Sequence, residues 1–580
     1  MVYYDNSKLK NTHRRTNMRP FRAFLALLLA ALCGISTASA AHYEPFDHPD
    51  VPFSEMTYTG VDVDAVDDFC ARFAQDPVGQ YPALLALYDA AYTQYNLAYI
   101  RMCQNAGSDA PASESERAET DFIRASDAIE RALGEALRGE QGAALRALMP
   151  EGEADDFAEY TGSTEEELDA DAAETALVNR YYRLPDDERF ADDAAELYLQ
   201  LAALRRAEAR RAGFDSYPEY AYVSFFSREY TPQEMQRLQS VVKTQIAPLY
   251  ARCIQYLDLV NPVWDDDDIP TDDEILDALG ARIGDVSPEL NEAFDFLLRN
   301  KLYCIGSGDE LLYMGYTTLL PAYGSMFLYN KVSSRFEAFQ STVHEFGHFN
   351  AMYHDPTPIL YQHDNMDVSE IQSQALELLF LPSLQDILAG ERAADRDVVT
   401  LYALEAMLSS VVNGCLYDEF EQTVYAHPDM TVQELHELEQ TLYAAYGLEG
   451  LFSDEPYWVS IPHLFSDPCY YISYAVSALP ALDVWLRSLD DYDAAVDAYL
   501  NVSAARTDAW FFDVVYDNGL CDVTNRGDVA RLAEDLTRQM DALTGKRPAV
   551  RAPVGVYLAE AAAAAAVVCG TVFLLRRKRE

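Results

Sequence analysis

The chain has 580 residues and a formal net charge of −52, from 95 acidic side chains against 43 Lys and Arg. This balance argues against nucleic-acid binding, because the neutralisation of phosphates requires a basic surface. The length exceeds what one compact core holds, so two lobes are expected.

The first residues carry the features of an export signal. Basic residues precede an apolar run from Ala23 to Ile35, and small residues at 38–40 follow as a cleavage site. This order is typical of a secretory signal peptide. Residues 1–40 are therefore predicted to be removed, and the remaining chain is predicted to be exported.

Helical periodicity dominates the chain that follows. Residues 115–139 and 195–214 place apolar side chains three and four positions apart, with charged residues between them. No alternating pattern of comparable length competes with them, and the best strand candidate is 315–332, which is rich in Tyr, Thr and Leu. The acidic run at 264–274 is expected to be a solvated loop.

One motif carries specific chemistry. His344, Glu345 and His348 form the run HEFGH, which places two imidazoles at i and i+4 on one face of a helix. Ser334, with Glu337 three residues later, predicts a capping-box start for this helix. Zinc hydrolases need three protein ligands, an open coordination position and a carboxylate base. HEFGH therefore predicts two ligands and the base, and the third ligand must come from another segment.

Two residues are candidates for the third ligand. His354 completes the histidine spacing of metzincins, but Ala351 stands where that pattern has its turn glycine, and alanine is disfavoured in a left-handed turn. Glu370 lies 22 residues after His348 and shares a helix face with other acidic and amide side chains. A carboxylate on a largely buried helix needs a partner, and a metal is a good one. Glu370 is therefore preferred over His354.

These motifs resemble those of a known family. HEFGH followed by Glu370, Ser373, Gln374 and Glu377 is similar to the HExxH and ExxSQxxE pattern of the oligoendopeptidase F and thimet oligopeptidase family of zinc metallopeptidases. The likeness covers roughly residues 60–540 and is strongest from about 195 to 480. Three further segments resemble the family: LRRAEARRAGFDSYPEYA, GYTTLLPAYGSMFLYNKV and NGCLYDEFEQTVYAHPD.

The resemblance implies a mainly α fold in which two helical lobes flank a deep substrate channel. A short strand region would precede a pair of zinc-binding helices, which would hold one Zn²⁺ through His344, His348 and Glu370. The expected domains are an N-terminal helical lobe at 41–230 and a catalytic zinc peptidase lobe at 231–545. Oligopeptides are the implied substrates, because a narrow channel admits flexible peptides and excludes folded proteins.

A late segment, IPHLFSDPCYYISYA, is similar to the histidine and tyrosine cluster of the same family. His463, Tyr471 and Tyr474 stand at the positions that face the zinc and the substrate carbonyl. Tyr471 and Tyr474 are three positions apart, so on a helix they would share a face. The resemblance implies that these residues donate hydrogen bonds to the carbonyl oxygen or hold the substrate backbone. Tyr470 is interpreted as a core residue.

The last residues predict a membrane anchor. The run at 554–575 is long and apolar enough to span a bilayer, and four basic residues follow at 576–579. Residues 546–580 are therefore predicted to form a transmembrane anchor with a basic cytoplasmic tail. The catalytic part would then lie at the cell membrane, outside the cytoplasm.

Two other functions stay open at this level. A zinc carboxypeptidase or dipeptidase would use the same scaffold and the same ligands. A non-catalytic peptide-binding surface protein is disfavoured, because both histidines and the base of HEFGH are intact. The sequence leaves the side-chain specificity and the oligomeric state open.

Overall fold

The structure is a computed structural model that describes residues 48–545 except 151, 163, 186, 261, 363–364, 454 and 508. The predicted signal peptide (1–40) and the predicted membrane anchor (546–580) lie outside the described residues. Within the described residues the chain is predominantly helical and has one three-stranded sheet. The predicted mainly α class is confirmed.

The first part of the described chain is entirely helices and loops. Its helices are α1 (Val63–Phe73), α2 (Pro77–Cys103), α3 (Asp109–Arg138), α4 (Gly142–Arg146), α5 (Glu153–Glu159), α6 (Glu165–Tyr182), α7 (Phe190–Arg211), α8 (Tyr217–Ser224), α9 (Pro232–Val241), α10 (Ala247–Leu257), α11 (Asp272–Gly280), α12 (Ile283–Val286) and α13 (Pro288–Asn300).

Local sequence signals account for many helix ends. The predicted helices at 115–139 and 195–214 correspond to α3 and α7. Helix α7 ends just before Gly213, whose φ of +84° is the left-handed conformation that glycine adopts without a steric cost. Reciprocal threonine and glutamate capping boxes begin several helices, among them Thr231 with Glu234 and Thr271 with Glu274.

The sheet contains the strands β1 (Tyr303–Gly306), β2 (Gly315–Leu320) and β3 (Ser325–Lys331). Their order is β1-β3-β2, with β1 parallel and β2 antiparallel to β3. The predicted strand region at 315–332 is confirmed as the β2-β3 hairpin. Strand β1 has only four residues, too few to show an alternating pattern, so it was not predicted.

Helices again make up most of the described chain after the sheet. They are α14 (Arg335–His354), α15 (Met366–Leu379), α16 (Leu381–Leu388), α17 (Ala393–Ala426), α18 (Val432–Ala445), α19 (Pro462–Ser466), α20 (Ile472–Ser488), α21 (Tyr492–Ser503), α22 (Phe511–Asp517) and α23 (Arg526–Thr544).

Helix α14 carries HEFGH, and its start differs from the predicted capping box. The Ser334 hydroxyl accepts a hydrogen bond from the Glu337 N–H at 3.2 Å, as predicted. The Glu337 carboxylate, however, accepts from the N–H of Ser333, at 2.9 Å, and not from that of Ser334. The acidic run also takes part, because Asp266 accepts from the N–H of Phe336 at 2.9 Å. Part of the predicted solvated loop therefore caps the positive end of α14.

Burial of α14 extends well beyond its apolar residues. Every residue from Phe336 to Ala351 is buried, including the polar ones. Buried polar groups require partners, so the polar side of this helix must face other polar groups inside the protein. From Phe336 to Ala351 the helix is therefore enclosed on all sides, and this part is not a surface amphipathic helix.

Gly347 sets how closely α14 and α15 approach each other. A Cβ at position 347 would lie 2.7 Å from the Cα of Ser373 and 2.9 Å from the carbonyl oxygen of Gln372. Both atoms belong to the backbone of α15, which has little freedom to move aside. A glycine inside a helical run indicates close packing of another element against that turn, and here the element is α15.

Of the helices that the structure describes, one is long and apolar enough to cross a membrane by length and composition. It is the stretch Ala394–Ala426 of α17, and 78% of its most apolar window is buried inside the protein. Burial of this kind is typical of a core helix.

Replacing Gly347 with alanine is expected to force α14 and α15 apart, because the added methyl group meets backbone atoms. Overpacking of this kind costs about 1–3 kcal/mol, so thermal denaturation should show a lower melting temperature. The matched control is Gly527→Ala at the exposed start of α23, where the nearest atom is the Asn525 side-chain oxygen at 3.2 Å. Equal melting temperatures for the two variants would contradict the proposed role of Gly347.

Candidate metal centre

The three predicted ligands come together between α14 and α15. The ligand atoms of His344, His348 and Glu370 lie within 4.8 Å of one another, and all three residues are buried. From Oε2 of Glu370, Nε2 of His344 is 3.4 Å away and Nε2 of His348 is 3.9 Å away. Ligands at about 2.0–2.1 Å around a tetrahedral zinc ion are about 3.4 Å apart, so the spacing suits one such ion.

The cluster passes a chemical test for a metal. Among the described residues, Nε2 of His348 has no hydrogen-bond partner although it is buried. Burial lowers the pKa of His348 well below its usual range, so the imidazole is neutral and keeps a lone pair for a ligand. Two imidazole nitrogens and one carboxylate oxygen form a common donor set of hydrolytic zinc sites. The residues present therefore fit a zinc ion.

Glu377 orients the His344 imidazole by binding Nδ1, the ring nitrogen other than the candidate metal ligand. Its Oε1 lies 2.6 Å from Nδ1 of His344, and its Oε2 accepts a hydrogen bond from Nε2 of Gln340, also at 2.6 Å. An Nδ1–H that donates to a carboxylate leaves Nε2 for a metal. Burial acts to lower the pKa of His344, but the hydrogen bond and charge of Glu377 outweigh it and raise the pKa to about 9. Metal binding near neutral pH would therefore release a proton from this imidazole.

The contact between Glu377 and His344 was not predicted. The sequence placed Glu377 on the same helix face as Glu370, and the family pattern contains it, but neither signal says which group it touches. The partner follows only from the packing of α15 against α14.

Glu345 lies next to these ligands and is held by strand β2. Its Oε2 accepts a hydrogen bond from the Thr317 hydroxyl at 3.0 Å. A Cβ at Gly315 would lie 2.8 Å from Oε1, so only glycine lets the strand approach the carboxylate this closely. Burial raises the pKa of Glu345 to about 7, against the lowering effect of a charged His344. A bound cation would lower this pKa again.

The role of Tyr470 differs from the one that was interpreted from the sequence. The residue is buried, as interpreted, but its hydroxyl donates a hydrogen bond to Oε1 of Glu370 at 2.8 Å. The Ser373 hydroxyl donates to Oε2 of the same carboxylate at 3.2 Å. Tyr470 therefore orients a candidate metal ligand and is more than a core residue. No local pattern signals this contact, because the two residues are 100 positions apart.

The structure brings His463, Tyr471 and Tyr474 together beside Tyr470. The His463 ring centroid lies 5.2 Å from that of Tyr470, 6.0 Å from Tyr471 and 6.2 Å from Tyr474. Tyr471 precedes the first residue of α20, and its ring still lies 5.4 Å from that of Tyr474. The three predicted residues thus adjoin the centre through Tyr470, and their roles toward a substrate stay predictions.

His354 does not join the cluster of ligand atoms. Helix α14 continues through Ala351 and ends at His354, so the turn that a metzincin arrangement requires does not form. The His354 ring instead lies 5.0 Å from the ring of Tyr353. The geometry favours Glu370 as the third ligand.

No protein-family model matches the chain, and no curated protein matches it at a significant level. Solved structures are similar in fold. One, assigned as an oligoendopeptidase F, aligns with a TM-score of 0.71 at 20% identity and covers 85% of this chain and 99% of that chain. Pz peptidase A with an inhibitor aligns with a TM-score of 0.70 at 18% identity, with the same two coverages.

A third similar structure is the M32 carboxypeptidase from Deinococcus radiodurans, with a TM-score of 0.54 at 14% identity. It covers 81% of this chain and 100% of that chain. The chain therefore has the fold of the oligoendopeptidase F structures, as the sequence resemblance implied. At these identities the likeness defines the fold and not the activity.

Replacing Glu377 with alanine is expected to weaken metal binding, because His344 loses the carboxylate that orients it. Loss of such a partner typically costs about 10–100-fold in metal affinity. Zinc affinity measured by competition with a chromophoric chelator would test this. The matched control is Glu437→Ala on the exposed face of α18, which should leave the affinity unchanged. Equal affinities for the two variants would contradict the role of Glu377.

Proposed function

We propose that this protein is a zinc metallopeptidase that hydrolyses peptide bonds in oligopeptides. The observation that carries the proposal is the buried cluster of His344, His348 and Glu370 with Glu345 beside it. Such a donor set, with a neighbouring carboxylate that can act as the base, suits hydrolysis by activated water. The similarity in fold to solved peptidase structures supports the same class of reaction.

Zinc held by His344, His348 and Glu370 would supply Lewis acidity and lower the pKa of a water molecule to about 7. Glu345 accepts the proton of the attacking water and delivers it to the leaving amine. Burial raises the pKa of Glu345 and a bound cation lowers it again, so the group is ionised near neutral pH and can take up the proton of the water. Thr317 keeps one oxygen of Glu345 in a defined orientation during these transfers.

His463, Tyr471 and Tyr474 are proposed to act on the substrate. As the scissile carbonyl oxygen becomes negative, these side chains donate hydrogen bonds to it or hold the substrate backbone. One donor in a comparable site contributes about 3–4 kcal/mol to the stabilisation of the transition state. All three are buried, and exclusion of water strengthens such hydrogen bonds.

Burial of the site also supports small, flexible substrates. His344, Glu345, His348 and Glu370 are each no more than 6% exposed. The surface of a folded protein does not reach groups at that depth, whereas a short, extended peptide is slender enough to approach them. Oligopeptides are therefore the proposed substrate class.

A carboxypeptidase is the second candidate for the reaction. The observation that keeps it is the similarity in fold to the M32 carboxypeptidase, whose TM-score of 0.54 equals that of one of the oligoendopeptidase F structures. Endopeptidase activity is the preferred proposal because the sequence motifs resemble those of the oligoendopeptidase F family.

Glu345→Gln is expected to retain one zinc per chain and to lose about 10²–10⁴-fold in kcat, because the base is removed and the ligands stay. Glu370→Ala is expected to lose the zinc as well. Metal content by mass spectrometry and turnover of a fluorogenic peptide would measure both effects. The control His354→Ala should keep metal and activity. A Glu370→Ala protein with full zinc beside a metal-free His354→Ala protein would refute the ligand assignment.

A mixed peptide library with free and amidated C-termini separates the two peptidase modes. An endopeptidase is expected to cleave internal bonds in both sets, whereas a carboxypeptidase requires the free carboxylate. Mass analysis of the products, with and without a chelator, would show which bonds are cut and whether metal is needed. Zinc-loaded protein that leaves every peptide intact would favour a peptide-binding role instead.

Export and membrane anchoring are also proposed, on the basis of the sequence at 1–40 and 546–580. Both segments lie outside the described residues. The expected mature N-terminus is Ala41, and protease added to intact cells should remove the peptidase activity. An uncleaved N-terminus together with full protection from the protease would contradict this location.

A further inference from the structure

Arg228 is a buried cation in the loop after α8. Its side chain is 0% exposed, and its guanidinium lies 4.4 Å from the ring centroid of Tyr222 and 4.3 Å from that of Phe226. The preceding residue, Ser227, has a φ of +47°, and the N–H of Arg228 donates to the Tyr222 carbonyl at 2.9 Å. A left-handed residue other than glycine carries a conformational cost, so this loop is held in one specific shape.

The guanidinium of Arg228 binds the turn that carries Tyr470. Nη1 donates to the Cys469 carbonyl at 2.8 Å, and Nη2 donates to the Ser473 hydroxyl at 2.7 Å and to the Tyr470 carbonyl at 3.4 Å. Cys469 is itself left-handed, with a φ of +65°, and its N–H donates to the Glu421 carboxylate at 2.9 and 3.0 Å. The backbone on both sides of Tyr470 is therefore fixed.

Arg228 also contacts the helix that carries Glu370. Its Nε lies 3.8 Å from Oδ1 of Asp367, and Oδ2 of Asp367 accepts a hydrogen bond from the Tyr230 hydroxyl at 2.7 Å. Asp367 is in the first turn of α15, three residues before Glu370. One guanidinium thus joins the start of α15 to the turn at 469–473, and the Tyr470 hydroxyl closes the connection by donating to Glu370.

Burying the charged side chain of Arg228 costs free energy, so its position calls for a structural reason. Removing a charged guanidinium from water carries a penalty that one carboxylate at 3.8 Å offsets only in part. The rigid, planar guanidinium, however, presents several donors in fixed directions, which suits simultaneous hydrogen bonds to carbonyls and a hydroxyl, while its charge faces the Asp367 carboxylate.

We propose that Arg228 is a positioning residue of the metal centre. It sets the turn at 469–473 against the start of α15, so that the Tyr470 hydroxyl holds the Glu370 carboxylate in the orientation that binds zinc. The inference rests on the proposed function, since it takes Glu370 as a zinc ligand. Within the described part of the chain, Arg228 makes no hydrogen bond or ion pair with the three candidate metal ligands.

The test measures zinc affinity by competition with a chromophoric chelator, together with the rate of zinc loss to EDTA. Arg228→Met is expected to lower the affinity about 10–100-fold, the usual effect of losing a group that orients a ligand. Arg228→Lys keeps the charge but not the fork of donors, so its affinity should lie between those of Arg228→Met and the wild type. Unchanged affinity in Arg228→Lys and Arg228→Met would overturn the inference.

Arg205→Met is the matched control for the loss of a buried arginine. Arg205 is also 0% exposed and binds Glu174 and the carbonyls of Leu464 and Phe465, but it contacts neither α15 nor the turn at 469–473. Its variant is expected to lose thermal stability and to keep the zinc affinity. A loss of zinc affinity equal to that of Arg228→Met would overturn the inference, because general destabilisation would then explain both.

A double-mutant cycle with Tyr470→Phe tests the route of the effect. If Arg228 acts through the Tyr470 hydroxyl, the double variant should lose less affinity than the product of the two single losses. Independent, multiplicative losses would overturn the inference. A wild-type protein without stoichiometric zinc would refute both the proposed function and the inference. A wild-type protein that binds zinc, together with unchanged zinc affinity in both Arg228 variants, would refute the inference alone.

Discussion

The close approach of α14 and α15 at Gly347 is the constraint on which the site depends. Two imidazoles come from one helix and the carboxylate from the other, so their convergence requires backbones that nearly touch. The same approach buries three polar groups, and among the described residues Nε2 of His348 has no hydrogen-bond partner. A cation between them would neutralise the carboxylate and use the imidazole lone pairs, which connects the packing of the helices to metal binding.

Three of the four groups of the centre, all but His348, are each held by a residue of another segment or of the facing helix. Glu377 orients His344, Tyr470 holds Glu370, and Thr317 holds Glu345. These contacts tie strand β2, both metal helices and the turn before α20 into one unit. Groups fixed in this way need little reorganisation when a charged transition state forms, which favours catalysis.

Much of the site is visible in local sequence. The histidines at i and i+4, the base between them and the helix that carries them follow from spacing, and the β2-β3 hairpin follows from composition. Gly347 indicated a close neighbour without naming it. Glu370 required one further argument, namely that a buried carboxylate needs a partner. The alternative ligand, His354, does not join the cluster, because the helix continues through Ala351 and no turn brings its side chain back to the other ligands.

The sequence by itself determined the helical class, the metal-binding motif and the sign of the charge, because these depend on periodicity, spacing and composition. Only the tertiary structure decided which residues orient the centre. Thr317 and Glu345 are 28 positions apart, Tyr470 and Glu370 are 100 apart, and Arg228 and Ser473 are 245 apart. Contacts over such separations depend on how whole helices pack, and no local pattern in the chain encodes which distant hydroxyl or guanidinium will meet which carboxylate.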